Sequence, residues 1–223
     1  MSFYLAIIFD SAVQAAASFA HLPAIISAIL SSPRGAGDLD RFRIEALVVT
    51  SLIFHLAEAF PAQMMFHRQM ESLKCLFDAG DKGSLALEWI SSIRASINCR
   101  NYSKFEVLTR EDRVRAMIES MRYLTVTKGC GDAGVRQLGR IALSCVVDEL
   151  RRRFRRTVWT ILRSAYRDFA LVSETDTNSW LARSLFLESS AECVDAQGWL
   201  EKCEKDGHAV RKDGSRERWI IRR

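Results

Sequence analysis

The chain has 223 residues, of which 48% are hydrophobic and 26% are charged, proportions that are ordinary for a globular protein with a good core. Its net charge of +5 hides a segregated distribution. Residues 140–167 carry eight Arg against two acids, and residues 207–223 carry six Lys or Arg against two acids. Between them, residues 168–206 carry nine acids against three bases. Two basic blocks separated by an acidic segment favour a polyanionic partner.

The first thirty residues are rich in Ala, Ile and Phe and carry one charged side chain, Asp10, apart from a possible His21 cation. No basic segment precedes the apolar run, so we do not expect a signal peptide. Residues 11–30 are long enough to span a bilayer, but Gln14, several serines and Pro23 make them only moderately apolar. We therefore predict buried helices interrupted at Pro23, with a membrane anchor as the alternative.

Four segments then have apolar residues at helical spacing: 40–60, 62–79, 84–98 and 111–121. Pro61 ends the first helix, Gly80 follows the second, and residues 100–105 are predicted to connect the third to the fourth. Antiparallel helices joined by short turns indicate a stacked α-solenoid or bundle.

Residues 129–134, GCGDAG, match the GxGxxG pattern of dinucleotide-binding loops and follow the strand-like segment 123–127. A dinucleotide site also needs a second strand that ends in an acidic residue about twenty positions later. Here a long helix follows instead. We interpret the glycines as an interhelix loop, and the nucleotide site is the alternative.

Residues 140–169 predict one long helix, because neither Pro nor Gly interrupts them. Apolar residues at steps of three and four predict its core-facing stripe: Leu143, Val147, Leu150, Phe154, Val158, Ile161, Ala165 and Phe169. Four arginines fall on the opposite side, Arg152, Arg156, Arg163 and Arg167, with Arg151, Arg153 and Arg155 beside them. Arginine suits planar recognition of anions, although such a row can also be only a solvated face.

The C-terminal part predicts a helix from about residue 178, a second helix after a capping box at Ser189 and Glu192, and then two strands. The strands, at 208–210 and 218–221, flank Asp213-Gly214, which is a strong hairpin signal. Helix, turn, helix and hairpin is the order of a winged helix, and we expect no other strands. The wing is basic, with Arg211, Lys212, Arg216 and Arg218.

No catalytic motif stands out in the sequence, which has no GxSxG, HExxH or Walker A pattern, and its four histidines are isolated. The six cysteines are scattered without a CxxC pair, so we interpret them as reduced thiols rather than as zinc ligands or disulfides. We expect no enzyme activity, no cofactor and no metal site.

Three segments, taken in order, resemble a known family. They are residues 100–105 (RNYSKF), residues 154–159 (FRRTVW) through 165–167 (AYR), and residues 181–186 (LARSLF) through 207–210 (GHAV). The helix at 70–78 fits more loosely. The family is that of the GANP-type leucine-permease transcriptional regulators, relatives of the PCI subunits of the proteasome lid and of translation initiation factor three. Residues 1–60 match no part of it.

The resemblance implies a mainly α fold of antiparallel helical repeats, a PCI-like α-solenoid, capped by a C-terminal winged helix with a short β-hairpin. We divide the chain into N-terminal helices at 1–60, helical repeats at 61–169 and a winged helix at 170–223. The implied function is a non-enzymatic scaffold in nuclear mRNA export, at the nuclear envelope or pore, with the cytoplasm as a further possibility. The alternative is a PCI subunit of the proteasome-lid or initiation-factor type that acts only through protein contacts.

Two sets of residues carry these functional hypotheses. RNA or single-stranded nucleic acid would bind the exposed bases of both basic blocks, Arg152, Arg156, Arg163, Arg167, Arg211, Lys212, Arg216 and Arg218. A second PCI subunit would bind C-terminal aromatic residues that a small winged helix does not readily bury, Trp180, Phe186, Trp199 and Trp219.

Overall fold

The computed structural model describes residues 2–30, 38–73, 85–123, 133–171, 176–187, 195–212 and 218–222. It is mainly α-helical, as predicted, and contains a small three-stranded antiparallel sheet. The chain forms two compact units. The first unit comprises residues 1–95 and 108–150, and the second unit comprises residues 96–107 and 151–223. The predicted division at residues 60 and 169 does not coincide with these units, and the stacking of helical repeats stays a prediction.

The N-terminal segment forms three helices, α1 (Ser2–Ile8), α2 (Ala12–Ala20) and α3 (Leu22–Leu30). The predicted interruption is present two residues before Pro23, at His21, and Pro23 is the second residue of α3, where a helix does not need its missing N–H. The chain also breaks near Asp10, which has a φ of 55°. Phe19 is buried, with its ring centroid 5.2 Å from that of Phe54. No helix in the described ranges is long and apolar enough to cross a membrane.

The predicted helices of the middle segment are present as α4 (Asp38–Glu58), α5 (Met64–Leu73), α6 (Leu85–Asn98) and α8 (Glu111–Tyr123). Residues 74–79, the predicted end of the second helix, lie outside the described ranges. The connection predicted at 100–105 is wrong, since a further helix, α7 (Tyr102–Thr109), begins there. Asn101 caps it, because its side-chain oxygen accepts a hydrogen bond of 2.9 Å from the backbone N–H of Lys104.

Two close contacts hold helices of the first unit together. A Cβ at Gly139 would lie 3.1 Å from the ring of Tyr4, so a larger residue would push α1 or this ring aside. Burial raises the pKa of Tyr4 to about 12. The indole N–H of Trp89 on α6 donates a 2.8 Å hydrogen bond to the carbonyl oxygen of Leu108 near the end of α7.

The long basic helix, α9, runs from Ala133 to Ala165. Most of the predicted stripe is buried, from Leu143 to Val158, but Ile161 is only half-buried and Ala165 is exposed. Phe169 is buried in a strand beyond the helix, β1 (Asp168–Ala170). The expectation of strands only at 208–210 and 218–221 is therefore wrong. The glycine-rich residues 129–132 and the strand-like residues 124–127 lie outside the described ranges.

The C-terminal segment contains α10 (Thr177–Ser184), α11 (Ala196–Lys205), β2 (Ala209–Arg211) and β3 (Arg218–Ile221). The sheet order is β1-β3-β2, and both neighbouring pairs are antiparallel. Asp195 caps α11, since its carboxylate accepts a 2.8 Å hydrogen bond from the N–H of Gly198. The predicted capping box at Ser189 and Glu192 and the hairpin turn at residues 213–214 lie outside the described ranges.

An aromatic cluster forms the centre of the second unit. Phe105, from α7, has its ring centroid 4.6 Å from that of Phe154 on α9 and 5.1 Å from that of Phe186, which follows α10. Phe154 and Phe186 stack at 6.0 Å, and all three side chains are completely buried. Three segments that are distant in sequence therefore share one hydrophobic core.

Phe105→Ala should lower the free energy of unfolding by about 3–5 kcal/mol, because it leaves a cavity between two rings that cannot close over it. Val107→Ala is the matched control, since Val107 lies on the same helix and is 55% exposed. Urea denaturation followed by circular dichroism measures both. Equal unfolding midpoints for the two variants would contradict the central role of the cluster.

Candidate nucleic-acid interface

The core-facing side of α9 contains two arginines that the sequence placed beside the outward row. Arg151 and Arg155 are each only 3% exposed. Arg155 donates from Nε to the carbonyl oxygen of Leu185 at 2.7 Å and from Nη2 to that of Phe186 at 3.2 Å. Its guanidinium carbon lies 5.4 Å from the ring centre of Trp199, and that of Arg151 lies 5.5 Å from the ring of Phe186. Both arginines therefore help to build the second unit.

The position of Arg155 at the end of α10 has a clear physical reason. The last carbonyl groups of a helix lack donors within the helix and carry a partial negative charge. Leu185 and Phe186 follow the last residue of α10, and Phe186 has a φ of 58°, so the chain turns sharply there. A buried guanidinium supplies the missing donors and a favourable charge. The sequence gives a weak indication that these arginines are buried, because Arg151 and Arg155 follow the buried Val147 at intervals of four residues on the same side of the helix.

On the outer side of α9, Arg152 and Arg156 are exposed, as the helical spacing predicts. Arg163 is half-buried, and its Nε donates a 2.9 Å hydrogen bond to the carbonyl oxygen of Arg222. Arg167 is exposed but lies beyond the end of the helix, so its predicted place in the helical row is wrong. Its carbonyl oxygen accepts a 2.8 Å hydrogen bond from the N–H of Ile221.

The basic residues of the predicted wing divide into two kinds. Lys212 and Arg218 are exposed and lie next to each other, because the N–H of Lys212 donates to the carbonyl oxygen of Arg218 at 2.9 Å. Arg211 is half-buried: its guanidinium carbon lies 4.7 Å from the ring centre of Trp219, and Nη2 lies 3.2 Å from a carboxylate oxygen of Glu201. This side chain has partners within the fold, and its assignment as a nucleic-acid contact stays a prediction. Arg216 lies outside the described ranges.

The two basic blocks meet in the second unit. Hydrogen bonds from Arg163 to Arg222 and from Ile221 to Arg167 join the end of α9 to the end of β3. The end of α9 therefore lies beside residues of the C-terminal basic block. Sequence alone could not establish this junction, since 59 positions separate Arg163 from Arg222.

The four aromatic residues predicted to contact a partner do not form one surface. Phe186 and Trp219 are completely buried, so their assignment to a partner surface is wrong. Phe186 belongs to the aromatic cluster, and the ring of Trp219 lies against Arg211. Trp180 and Trp199 are half-buried, and each retains some accessible surface.

Burial shifts the pKa of a cysteine and of a histidine among the described residues. Burial raises the pKa of Cys203 to about 12, with a further contribution from the carboxylate of Asp206, so this cysteine is a thiol at neutral pH. Burial lowers the pKa of His55, so its imidazole is uncharged at neutral pH. Within the described ranges, no group of three His, Cys, Asp or Glu side chains is placed to hold a metal ion.

Comparisons with protein-family models, with characterised proteins and with solved structures found no match for this chain. The resemblance to the GANP-type family therefore depends on the sequence motifs and stays a prediction.

Arg155→Met should lower the free energy of unfolding by about 2–3 kcal/mol, because it leaves two buried carbonyl oxygens without a charged donor. Arg156→Met, one position along the same helix, removes the same charge from an exposed side chain. It should change the free energy of unfolding by less than about 0.5 kcal/mol. Urea denaturation followed by tryptophan fluorescence compares them. If both variants unfold at the same denaturant concentration, Arg155 does not stabilise the end of α10.

Proposed function

We propose that the second unit is a winged helix and that the chain is a non-enzymatic scaffold subunit of a nuclear mRNA-export complex of the GANP type. It would bind single-stranded nucleic acid and a second PCI subunit. Its site would be the nuclear envelope or pore, with the cytoplasm as the alternative.

The observation that carries the family assignment is the aromatic cluster. Each of the three motif segments contributes one of its phenylalanines: Phe105 from the first, Phe154 from the second and Phe186 from the third. The three segments that resemble one family thus pack against one another. Asn101, in the first motif, caps the helix that carries Phe105. The resemblance is supported because these motif residues have connected structural roles.

The arrangement of the elements supports the winged-helix assignment. After the end of α9 come β1, two short helices and then the antiparallel pair β2 and β3. β3 lies between the other two strands. A winged helix has this order of helix, strand, two helices and a terminal strand pair. The extra strand, which the sequence did not reveal, therefore extends the expected arrangement rather than opposing it.

The junction between the two basic blocks supports nucleic-acid binding. Arg152 and Arg156 on α9 and Lys212 and Arg218 on the sheet are exposed within one compact unit. Exposed cations such as these can neutralise phosphates of a flexible strand. Among the described residues, the arrangement offers charge without an evident pocket for reading base edges, so we expect weak sequence preference.

A protein-bridging PCI subunit of the proteasome-lid or initiation-factor type is the second candidate. Ile220, on the central strand of the sheet, is 45% exposed, and Trp180 and Trp199 are only half-buried. Apolar surface of this kind fits a protein neighbour. Affinity purification from the native cell with mass spectrometry distinguishes the two, since nuclear-pore and mRNA-export proteins would support the first candidate and proteasome or initiation-factor subunits the second.

The triple variant Arg156→Gln, Lys212→Gln and Arg218→Gln should weaken binding of the full chain to a fluorescein-labelled uridine oligonucleotide. Each lost phosphate contact should reduce the slope of log affinity against log salt by about 0.7, or about 2 for all three. Fluorescence anisotropy at several salt concentrations measures this slope. The variant avoids Arg163, whose side chain is hydrogen-bonded to the backbone.

The matched control replaces three other exposed bases by Gln: Lys104, Arg113 and Lys205. It changes the net charge by the same amount and should retain most of the affinity. Equal losses in the two variants would mean that only net charge matters. Unchanged affinity in the first variant, with an unchanged circular dichroism spectrum, would show that these bases form a solvated surface.

A further inference from the structure

A groove with a volume of about 540 Å³ lies in the second unit between β1 and α10. Residues 168–170 line it from the strand, and Thr177, Trp180 and Arg183 line it from the helix. Its volume is within the range of clefts that bind small molecules and peptide side chains. None of the described lining residues is a base of the candidate nucleic-acid interface.

One wall of the groove is an edge strand. Within the part of the chain that the structure describes, β1 pairs with β3 on one side only, since the sheet order is β1-β3-β2. The N–H of Ile221 donates a hydrogen bond to the carbonyl oxygen of Arg167, so these two residues face each other as a hydrogen-bonded pair. In an antiparallel sheet, hydrogen-bonded and non-hydrogen-bonded pairs alternate along the strands. The next hydrogen-bonded pair is therefore Phe169 with Trp219. The backbone N–H and C=O groups of Asp168 and Ala170 therefore point away from β3. No other described backbone group bonds to them on that side, and such an edge is a template for an added strand.

The side chains in the groove suit a positively charged guest. Tyr166 is 42% exposed, and its ring centroid lies 5.3 Å from that of Trp180 in an edge-on arrangement. Asp168 and Asp176 add two exposed carboxylates. Arg183 is the one cation among the lining residues, and its Nε points to a backbone carbonyl oxygen of its own helix at 3.4 Å. An aromatic face next to carboxylates attracts an ammonium or guanidinium group.

The segment of sequence that contains the two groove carboxylates has a net negative charge. Residues 168–206 carry nine acids against three bases, and this segment contains both carboxylates of the groove. Its negative charge opposes phosphate and favours a basic polypeptide.

We propose that this groove binds an extended basic peptide segment of a partner protein. The segment adds a strand to the free edge of β1 through Asp168 and Ala170. It places a Lys or Arg side chain against the ring of Tyr166, between the carboxylates of Asp168 and Asp176. Backbone hydrogen bonds then supply the affinity, and the charged pocket supplies the preference for a basic residue.

The test uses the full chain labelled with nitrogen-15 and a pool of acetylated, amidated heptapeptides. Each peptide carries Arg in the central position and Val, Ile, Thr or Lys elsewhere, so that it favours an extended conformation. We expect shifts at the amides of Asp168 and Ala170 and at the indole N–H of Trp180. A pool with a central Glu and only Val, Ile or Thr elsewhere, or a pool with N-methylated backbones, should produce none of them. Because the backbone supplies the affinity, most members of the Arg pool should bind, and about 1 mM of the whole pool would then saturate micromolar binding. If the signals remain unchanged at this concentration, the proposal is wrong.

The variant Asp168→Asn with Asp176→Asn should weaken binding of the Arg pool about fivefold, because exposed ion pairs are individually weak. Asp176 occupies the N-cap position of α10, but its carboxylate makes no cap hydrogen bond, and Asn also suits this position, so the fold should survive. The matched control, Glu71→Gln with Asp206→Asn, removes two exposed carboxylates elsewhere and should bind like the unmodified chain. Equal binding by both variants would remove the carboxylates from the proposed site.

A titration with the uridine oligonucleotide separates this proposal from the proposed function. Oligonucleotide binding that leaves the signals of Asp168, Ala170 and Trp180 unchanged supports a groove reserved for peptide. Oligonucleotide binding that shifts them, and that strengthens in the Asp168→Asn and Asp176→Asn variant, would assign the groove to nucleic acid and overturn the proposal. Failure of the peptide pool alone would leave nucleic-acid binding by the basic blocks intact.

Discussion

The hydrogen bonds from Arg155 to the carbonyl oxygens of Leu185 and Phe186 determine much of the second unit. They attach the end of α10 to the middle of α9, and they hold Phe186 where it can meet Phe105 and Phe154. Transfer of a guanidinium group from water into the protein interior costs free energy. The group therefore stabilises the fold only when acceptors satisfy its N–H donors and an aromatic ring packs against its planar face. Trp199 supplies that ring. The helix end, the aromatic cluster and the indole are therefore mutually dependent.

This dependence explains how one arginine-rich helix has two different faces. Arg151 and Arg155 enter the core, while Arg152 and Arg156, one position further along, remain exposed. The helical rotation of about 100° per residue separates them. Substitutions on the outer face therefore need not disturb the inner one. Two exposed carboxylates, Asp168 and Asp176, lie beside β1 and α10, so the second unit has charged side chains of both signs on its surface.

Helical periodicity was enough to predict α4, α6, α8 and most of the buried side of α9, because local spacing determines those features. It missed β1, whose three residues become a strand only by pairing with β3, some fifty positions later. It also missed the burial of Arg155, since the carbonyl groups that compensate it lie thirty positions away. Trp219 was misjudged for a similar reason: Arg211 and the sheet cover its ring. The exposed arginines of the candidate site could be predicted, whereas their junction through Arg222 could not.

The second unit is discontinuous along the chain, since residues 96–107 belong to it while residues 108–150 do not. Phe105 therefore reaches its cluster from a segment that is synthesised well before Phe154 and Phe186. Closing this core requires a long loop of chain to be brought together first, which favours slow, late assembly of the unit. It also means that no cut after residue 107 can isolate the complete unit. A fragment that starts at Arg151 would contain every basic residue of the candidate interface and yet lack one wall of the core that holds them in place.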